Sequence, residues 1–169
     1  KVSFNKPFTQ QEAIPEDGIA RAVEIMRSGR LHRYNLVEGE VGEAALLETE
    51  FATFTGAAHC VAVASGGQAM AIALRATGVV HGTPVLTNAF TLAPVPGAIA
   101  AVGGMPVFVG TTEALTIDLD DLTTKIETSR ARHLLLSHMR GHIADMDALM
   151  AICGARGVTV IEDCAHTIG

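Results

Sequence analysis

The residues best suited to chemistry in this 169-residue chain stand at the ends of apolar runs. The segment Gly157 to Gly169, GVTVIEDCAHTIG, closes a short apolar run on Glu162 and Asp163, with His166 three residues on. A carboxylate held there can serve the protonated ring nitrogen of a ligand, and the histidine can hydrogen-bond the ring's rim. Ser65-Gly66-Gly67-Gln68 joins an earlier apolar run to a helical stretch. Paired glycines leave backbone N–H groups open to an anion, and a helix amino terminus adds favourable partial charge. Phe90 follows another apolar run in TNAFTLAP, where an aromatic ring could lie flat on a planar ligand. Each feature also has a plain structural reading: a tight turn at Ser65, a core ring at Phe90, a helix cap or surface acid at Asp163, and a solvated polar residue at His166.

Other chemistries fit less well. His138, His142, Asp145 and Asp147 cluster in sequence, but Gly141 interrupts the helix that an i, i+4 metal pair needs, and Asp145 starts the next one. No metal site is expected. Ser65, Asp163 and His166 could form a hydrolytic set, yet Ser65 lacks the GxSxG elbow. The Ser65 turn is neither a Walker A loop nor GxGxxG, so a nucleotide cradle of either kind is disfavoured.

The elements that must position these residues follow a regular rhythm. Residues 1–14 are polar and expected to be extended. Pro15 opens a helix to about Ser28 with Gly29 as its stop, and Glu43 to about Phe54 gives a second helix ended by Gly56. Strand and helix then alternate. The predicted strands are HCVAVAS (59–65), TPVLTNA, MPVFVG, ARHLLLSH and VTVIED. Between them lie helices that include DLDDLTTKIE, capped by Asp118, and DMDALMAICGARG, capped by Asp145. That alternation means an α/β fold, a mostly parallel sheet with helices on both faces, expected here to be incomplete at the carboxyl terminus.

Bulk properties narrow the function. Apolar residues make up 49% of the chain and charged residues 18%, which excludes disorder. The net charge of −6 with scattered acids argues against a nucleic-acid partner, and the absence of Trp removes an obvious stacking platform. The three cysteines form no framework, and no apolar run reaches membrane-spanning length, so a reduced, cytoplasmic setting is expected.

Taken in order, SGRLHRYN, ETEFATFTGAAHCVAVASGG, GTPVLTNAFT, GGMPVFVG, SHMRGHIADMDAL and VIEDCAHTIG resemble the DegT/DnrJ/StrS family of sugar aminotransferases. The resemblance implies pyridoxal 5'-phosphate as cofactor. It places Ser65, Gly66, Gly67 and Gln68 on the phosphate, Phe90 on the pyridine ring, Asp163 on the ring nitrogen, and His166 by the phenolic oxygen as a catalytic-site residue. It further implies the large domain of fold-type-I enzymes, a homodimer, and transfer of an amino group, commonly from glutamate, to a nucleotide-linked keto sugar. Two departures accompany it. Gly67 stands where the family usually has a threonine. The Schiff-base lysine lies in a stretch beyond the acid-containing strand, and Lys1, Lys6 and Lys125 do not match it. Residues 15–169 are therefore expected to be a partial large domain, without the lysine segment or the small domain. Two alternatives stay open: a lysine-free dehydratase of the same family, and a non-catalytic cofactor-binding or regulatory subunit.

Overall fold

A computed structural model describes residues 12–34 and 36–167. The expected extended leader over 1–14 falls mostly outside them. Two compact units divide between Ala62 and Val63.

The first unit carries two helices, α1 (Glu16–Ser28) and α2 (Glu43–Thr55). Pro15 stands at the amino-terminal boundary of α1, as its fixed φ predicts. Gly29 and Gly56 end the two helices in the left-handed conformation that a residue without Cβ adopts without strain. Arg21 bridges Glu24 and Glu43, tying the first helix to the start of the second. Glu48 on α2 accepts the Ala62 amide at 2.8 Å and pairs with Arg33 at 2.8 Å. Those contacts hold its carboxyl below the ordinary glutamate range, the Ala62 hydrogen bond contributing most and Arg33 next.

The second unit is a layered α/β structure. In chain order it contains α3 (Gly66–Ala76), β1 (Pro84–Asn88), α4 (Pro94–Ala101), β2 (Met105–Val109), α5 (Leu119–Ser129), β3 (His133–Ser137), α6 (Met146–Ala155) and β4 (Thr159–Asp163). The sheet runs β2-β1-β3-β4, every pairing parallel. Side-chain alternation along the strands divides the core. Val85 and Leu135 pack with Met70 and Leu74 of α3 and with Val95, Ala98 and Ile99 of α4. Leu86, Leu134 and Leu136 pack on the opposite side with Leu122 and Ile126 of α5 and Leu149 and Cys153 of α6. Helices therefore cover both faces, as the βα rhythm requires.

One predicted strand is absent. The segment 59–65 is not a strand, and Val61 and Val63 are 67% and 37% exposed instead of buried. Apolar β-branched residues give a segment the propensity for a strand, but the ladder must come from a neighbour. No described residue supplies one, so the sheet has four strands and not five.

No described helix is long and apolar enough to cross a membrane.

Candidate active site

The carboxyl ends of β1, β3 and β4 meet in a polar layer on an otherwise apolar sheet. Register places Ser137, the last residue of β3, beside Asp163, the last residue of β4. The Ser137 hydroxyl donates to Asp163 Oδ2 at 3.0 Å, and the Ala165 amide donates to Oδ1 at 3.2 Å. Each carboxylate oxygen thus accepts one internal bond and keeps capacity for another. Two donors from different segments fix the orientation of the group.

Ser137 is itself held from the other side. The Asn88 side chain, only 3% exposed, accepts the Ser137 amide at 2.9 Å and donates to the Ser137 carbonyl at 3.1 Å. The same Nδ2 donates to the Phe90 carbonyl at 2.7 Å, which anchors the backbone of the predicted ring-stacking residue. Phe90 is half-buried just beyond the end of β1. A carboxamide here does what a backbone would do in the ladder: it offers one acceptor and two donors to a strand edge that β1 no longer reaches.

Ser65 caps α3, its Oγ accepting the Gln68 amide at 3.2 Å. The Gln68 side chain turns back to accept the Ala64 amide at 3.2 Å, a variant of the capping box. With Gln68 N–H committed, the orphan donors of the first turn are the amides of Gly66 and Gly67. Apart from its chain neighbours and its own helix, no described atom lies within 4 Å of a Cβ built on Gly66, and the Gly67 position meets only Ser65 Oγ at 3.9 Å. The side-chain positions of both glycines are therefore uncrowded, and among the described residues neither amide has a hydrogen-bond partner. The plain reading, a tight turn, holds as far as the cap goes. The two adjacent amides are those that any helix amino terminus leaves without an intrahelical partner, and they are the donors an anion would use.

The direction of α3 follows from its far end. Thr77 O accepts His133 Nε2–H at 2.9 Å, so the carboxyl end of the helix lies at the start of β3. Eleven residues of helix span about 16 Å, and a five-residue strand spans a similar ~16 Å. A helix packed along the sheet from that anchor brings the Ser65 turn back toward the strand ends that carry Asp163.

His166 is exposed beyond β4, and its Nδ1 accepts the Arg140 amide at 3.0 Å. His138, 4% exposed, donates from Nε2 to Glu162 at 2.8 Å, and its amide reaches the Asp163 carbonyl at 3.1 Å. His138 is thus drawn to β4 and away from the His142, Asp145 and Asp147 group. Asp145 accepts the Ala148 amide and serves as the cap of α6. The donor atoms of His138, Glu162 and Cys164 converge within 4.8 Å, with the histidine already committed to the glutamate.

Of the residues singled out by sequence, the structure joins Asp163 and His166 through the end of β3 and the turn that follows it. It sets the Ser65–Gln68 turn on the helix that packs beside β4. Sequence reasoning missed Asn88, Ser137 and the backbone of Arg140. The available signal was a polar residue closing an apolar parallel strand, Asn88 in PVLTN and Ser137 in HLLLS.

Pyridoxal phosphate fits this donor set. Its phosphate needs free N–H groups, as at Gly66 and Gly67, and its ring nitrogen needs an oriented carboxylate, as at Asp163.

Comparison with known proteins points the same way. The DegT/DnrJ/EryC1/StrS aminotransferase family matches residues 12–169. A dTDP-3-amino-3,4,6-trideoxy-alpha-D-glucose transaminase of Micromonospora megalomicea is 37% identical over 72% of this chain and 33% of its own length. The 3-amino-5-hydroxybenzoate synthase of Amycolatopsis mediterranei is 38% identical over 96% of this chain and 40% of its own. Among solved structures, S. venezuelae DesV in complex with a ketimine intermediate superposes with a TM-score of 0.74 at 34% identity, covering 87% of this chain and 38% of that one. The fold alone is matched by an aminotransferase from Psychrobacter cryohalolentis, with a TM-score of 0.84 at 24% identity over 96% of this chain and 40% of that one. The chain thus spans about 40% or less of the length of these relatives.

Proposed function

Because the chain belongs to the DegT/DnrJ/EryC1/StrS aminotransferase family, we propose that it carries the cofactor-facing part of a pyridoxal-phosphate-dependent enzyme that transfers an amino group to a nucleotide-linked keto sugar. Glutamate is the proposed donor, and a homodimer the proposed assembly. The observation that carries this reading is the Asp163 carboxylate, fixed by Ser137 and Ala165 on the sheet against which the helix bearing the free Gly66 and Gly67 amides packs.

In this reading each residue has a separate task. Gly66 and Gly67 donate backbone N–H groups to the phosphate, and the Ser65 hydroxyl, whose oxygen caps the helix, keeps its proton to give. The Gln68 oxygen is spent on Ala64, so only its amide nitrogen remains to replace the donor lost with the family's threonine. Phe90 covers one face of the ring. Asp163 holds the proton on the ring nitrogen, and His166 hydrogen-bonds the ring's oxygen. When bound, the cofactor supplies an electron sink at the carbon that carries the amino group. Lys125 sits within α5, and Lys1 and Lys6 lie outside the described residues. The Schiff-base lysine is assigned to the part of the relatives' length that this chain does not span.

The test uses full-length protein with added pyridoxal phosphate. A visible absorption band that borohydride bleaches, with the cofactor then attached to a lysine outside residues 1–169, supports the reading. Absence of the band contradicts it. Asp163→Asn should still hold cofactor through the phosphate turn while turnover falls on the order of 10²-fold, the scale of losing one placed proton-holding group.

A further inference from the structure

The 3-10 turn Met139–Gly141 that follows β3 grips the Asp163–His166 segment from both ends. At one end the His138 amide donates to the Asp163 carbonyl at 3.1 Å. At the other the Arg140 amide donates to His166 Nδ1 at 3.0 Å. The turn closes on its own bonds, Gly141 N–H to His138 O at 3.0 Å and His142 N–H to Met139 O at 3.1 Å. Arg140 N–H is left for His166, in a turn of unusual backbone: Arg140 has φ 58° and Gly141 has φ 79°, two left-handed residues in succession. A non-glycine residue in that region is uncommon and costs free energy that the surroundings must offset.

From this geometry we infer that the turn selects the tautomer of His166, so that Nε2 carries the proton and presents a hydrogen-bond donor. A ring nitrogen that accepts an amide N–H bears no hydrogen, and a neutral imidazole has one donor and one acceptor nitrogen. With Nδ1 occupied as the acceptor, Nε2–H is the form that remains. Arg140 and Gly141 are positioning residues: they act through His166. The consequence for catalysis rests on the function proposed above. An oxygen on the cofactor ring needs a donor, and an acceptor nitrogen facing it would repel it. The Arg140 amide removes the wrong form before the cofactor arrives.

The experiment is ¹⁵N magnetic resonance on full-length protein labelled at histidine, at a pH about two units above the ordinary imidazole value of ~6.5. His166 is identified by the resonances missing from His166→Gln. The expected spectrum has an unprotonated Nδ1 and a protonated Nε2. Gly141→Val places a β-branched residue where φ is positive, which should open the turn and average the two nitrogens toward a tautomer mixture. Gly141→Asn tolerates the left-handed conformation and should keep the wild-type pattern. A proton found on His166 Nδ1 overturns the inference, as does a folded Gly141→Val protein with an unchanged spectrum. If Gly141→Val does not fold, the wild-type and Gly141→Asn spectra decide. Addition of pyridoxal phosphate separates the two ideas: a shift at His166 Nε2 supports the proposed function, and no shift counts against that function while leaving the tautomer result intact.

Discussion

Asn88→Ala removes the piece that joins the ends of β1 and β3. In the native protein this side chain satisfies the Ser137 amide, the Ser137 carbonyl and the Phe90 carbonyl, all from a position 3% exposed. Truncation leaves the two Ser137 groups without their partner. A buried polar group stripped of its partner costs about 1–3 kcal/mol, so the pair costs about 3 kcal/mol when solvent reaches part of the gap. Across a unit of about 150–250 residues each kilocalorie lowers the melting temperature by about 2–4 °C, which predicts a fall of about 6–12 °C for the 169-residue chain. Differential scanning calorimetry reads this directly. Asn88→Asp sharpens the test, because it keeps the acceptor for the Ser137 amide but points a second acceptor at two carbonyls. It should be no more stable than the alanine variant. An Asn88→Ala protein melting within about 2 °C of wild type would mean these bonds contribute no more than ~1 kcal/mol, and the described clamp would be wrong.

Ser65→Ala should cost about 1 kcal/mol through loss of the α3 cap and should also weaken cofactor binding. Ser65→Asp restores the cap yet sets a negative charge beside the phosphate, so it should recover stability in a thermal melt while cofactor affinity in a spectroscopic titration stays low. In the first unit, the carboxyl of Glu48 is lowered in the folded state, first by the Ala62 amide and then by Arg33. Its contribution to stability is therefore complete above the unfolded value of ~4.3 and lost as pH falls through the lower folded value. Acid unfolding followed by circular dichroism should lose part of its pH dependence in Glu48→Gln; an identical acid limb would remove that role. Leu135→Ala, at the centre of the sheet and fully buried against the α3 and α4 face, should cost about 2–5 kcal/mol in denaturant unfolding.

The fold was readable wherever one segment's own residues decide its state. β1 and β3 are short apolar runs stopped by polar residues, and the Asp118 and Asp145 caps sit where their side chains can accept the first free amides. The segment 59–65 was misread because its apolar content resembles that of β3, while strand formation depends on a partner that lies outside its own sequence. The site divides the same way. Asp163 and His166 stand out because polar residues follow an apolar run. Asn88 and Ser137 act across strands, and register between distant segments leaves no mark in the residues themselves. The turn at Arg140 was read only as a break caused by Gly141. Nothing about an arginine signals a positive φ, so its amide's role emerged from geometry alone.

In the proposed function, Asp163 holds the ring nitrogen of a pyridoxal cofactor whose phosphate rests on Gly66 and Gly67. A crystal structure of the cofactor-loaded full-length protein measures both at once. The expected map has a carboxylate oxygen of Asp163 about 2.7–2.9 Å from the ring nitrogen, with phosphate oxygens on the two glycine amides. A cofactor bound elsewhere, or an Asp163 carboxylate still engaged only with Ser137 and Ala165, would contradict it.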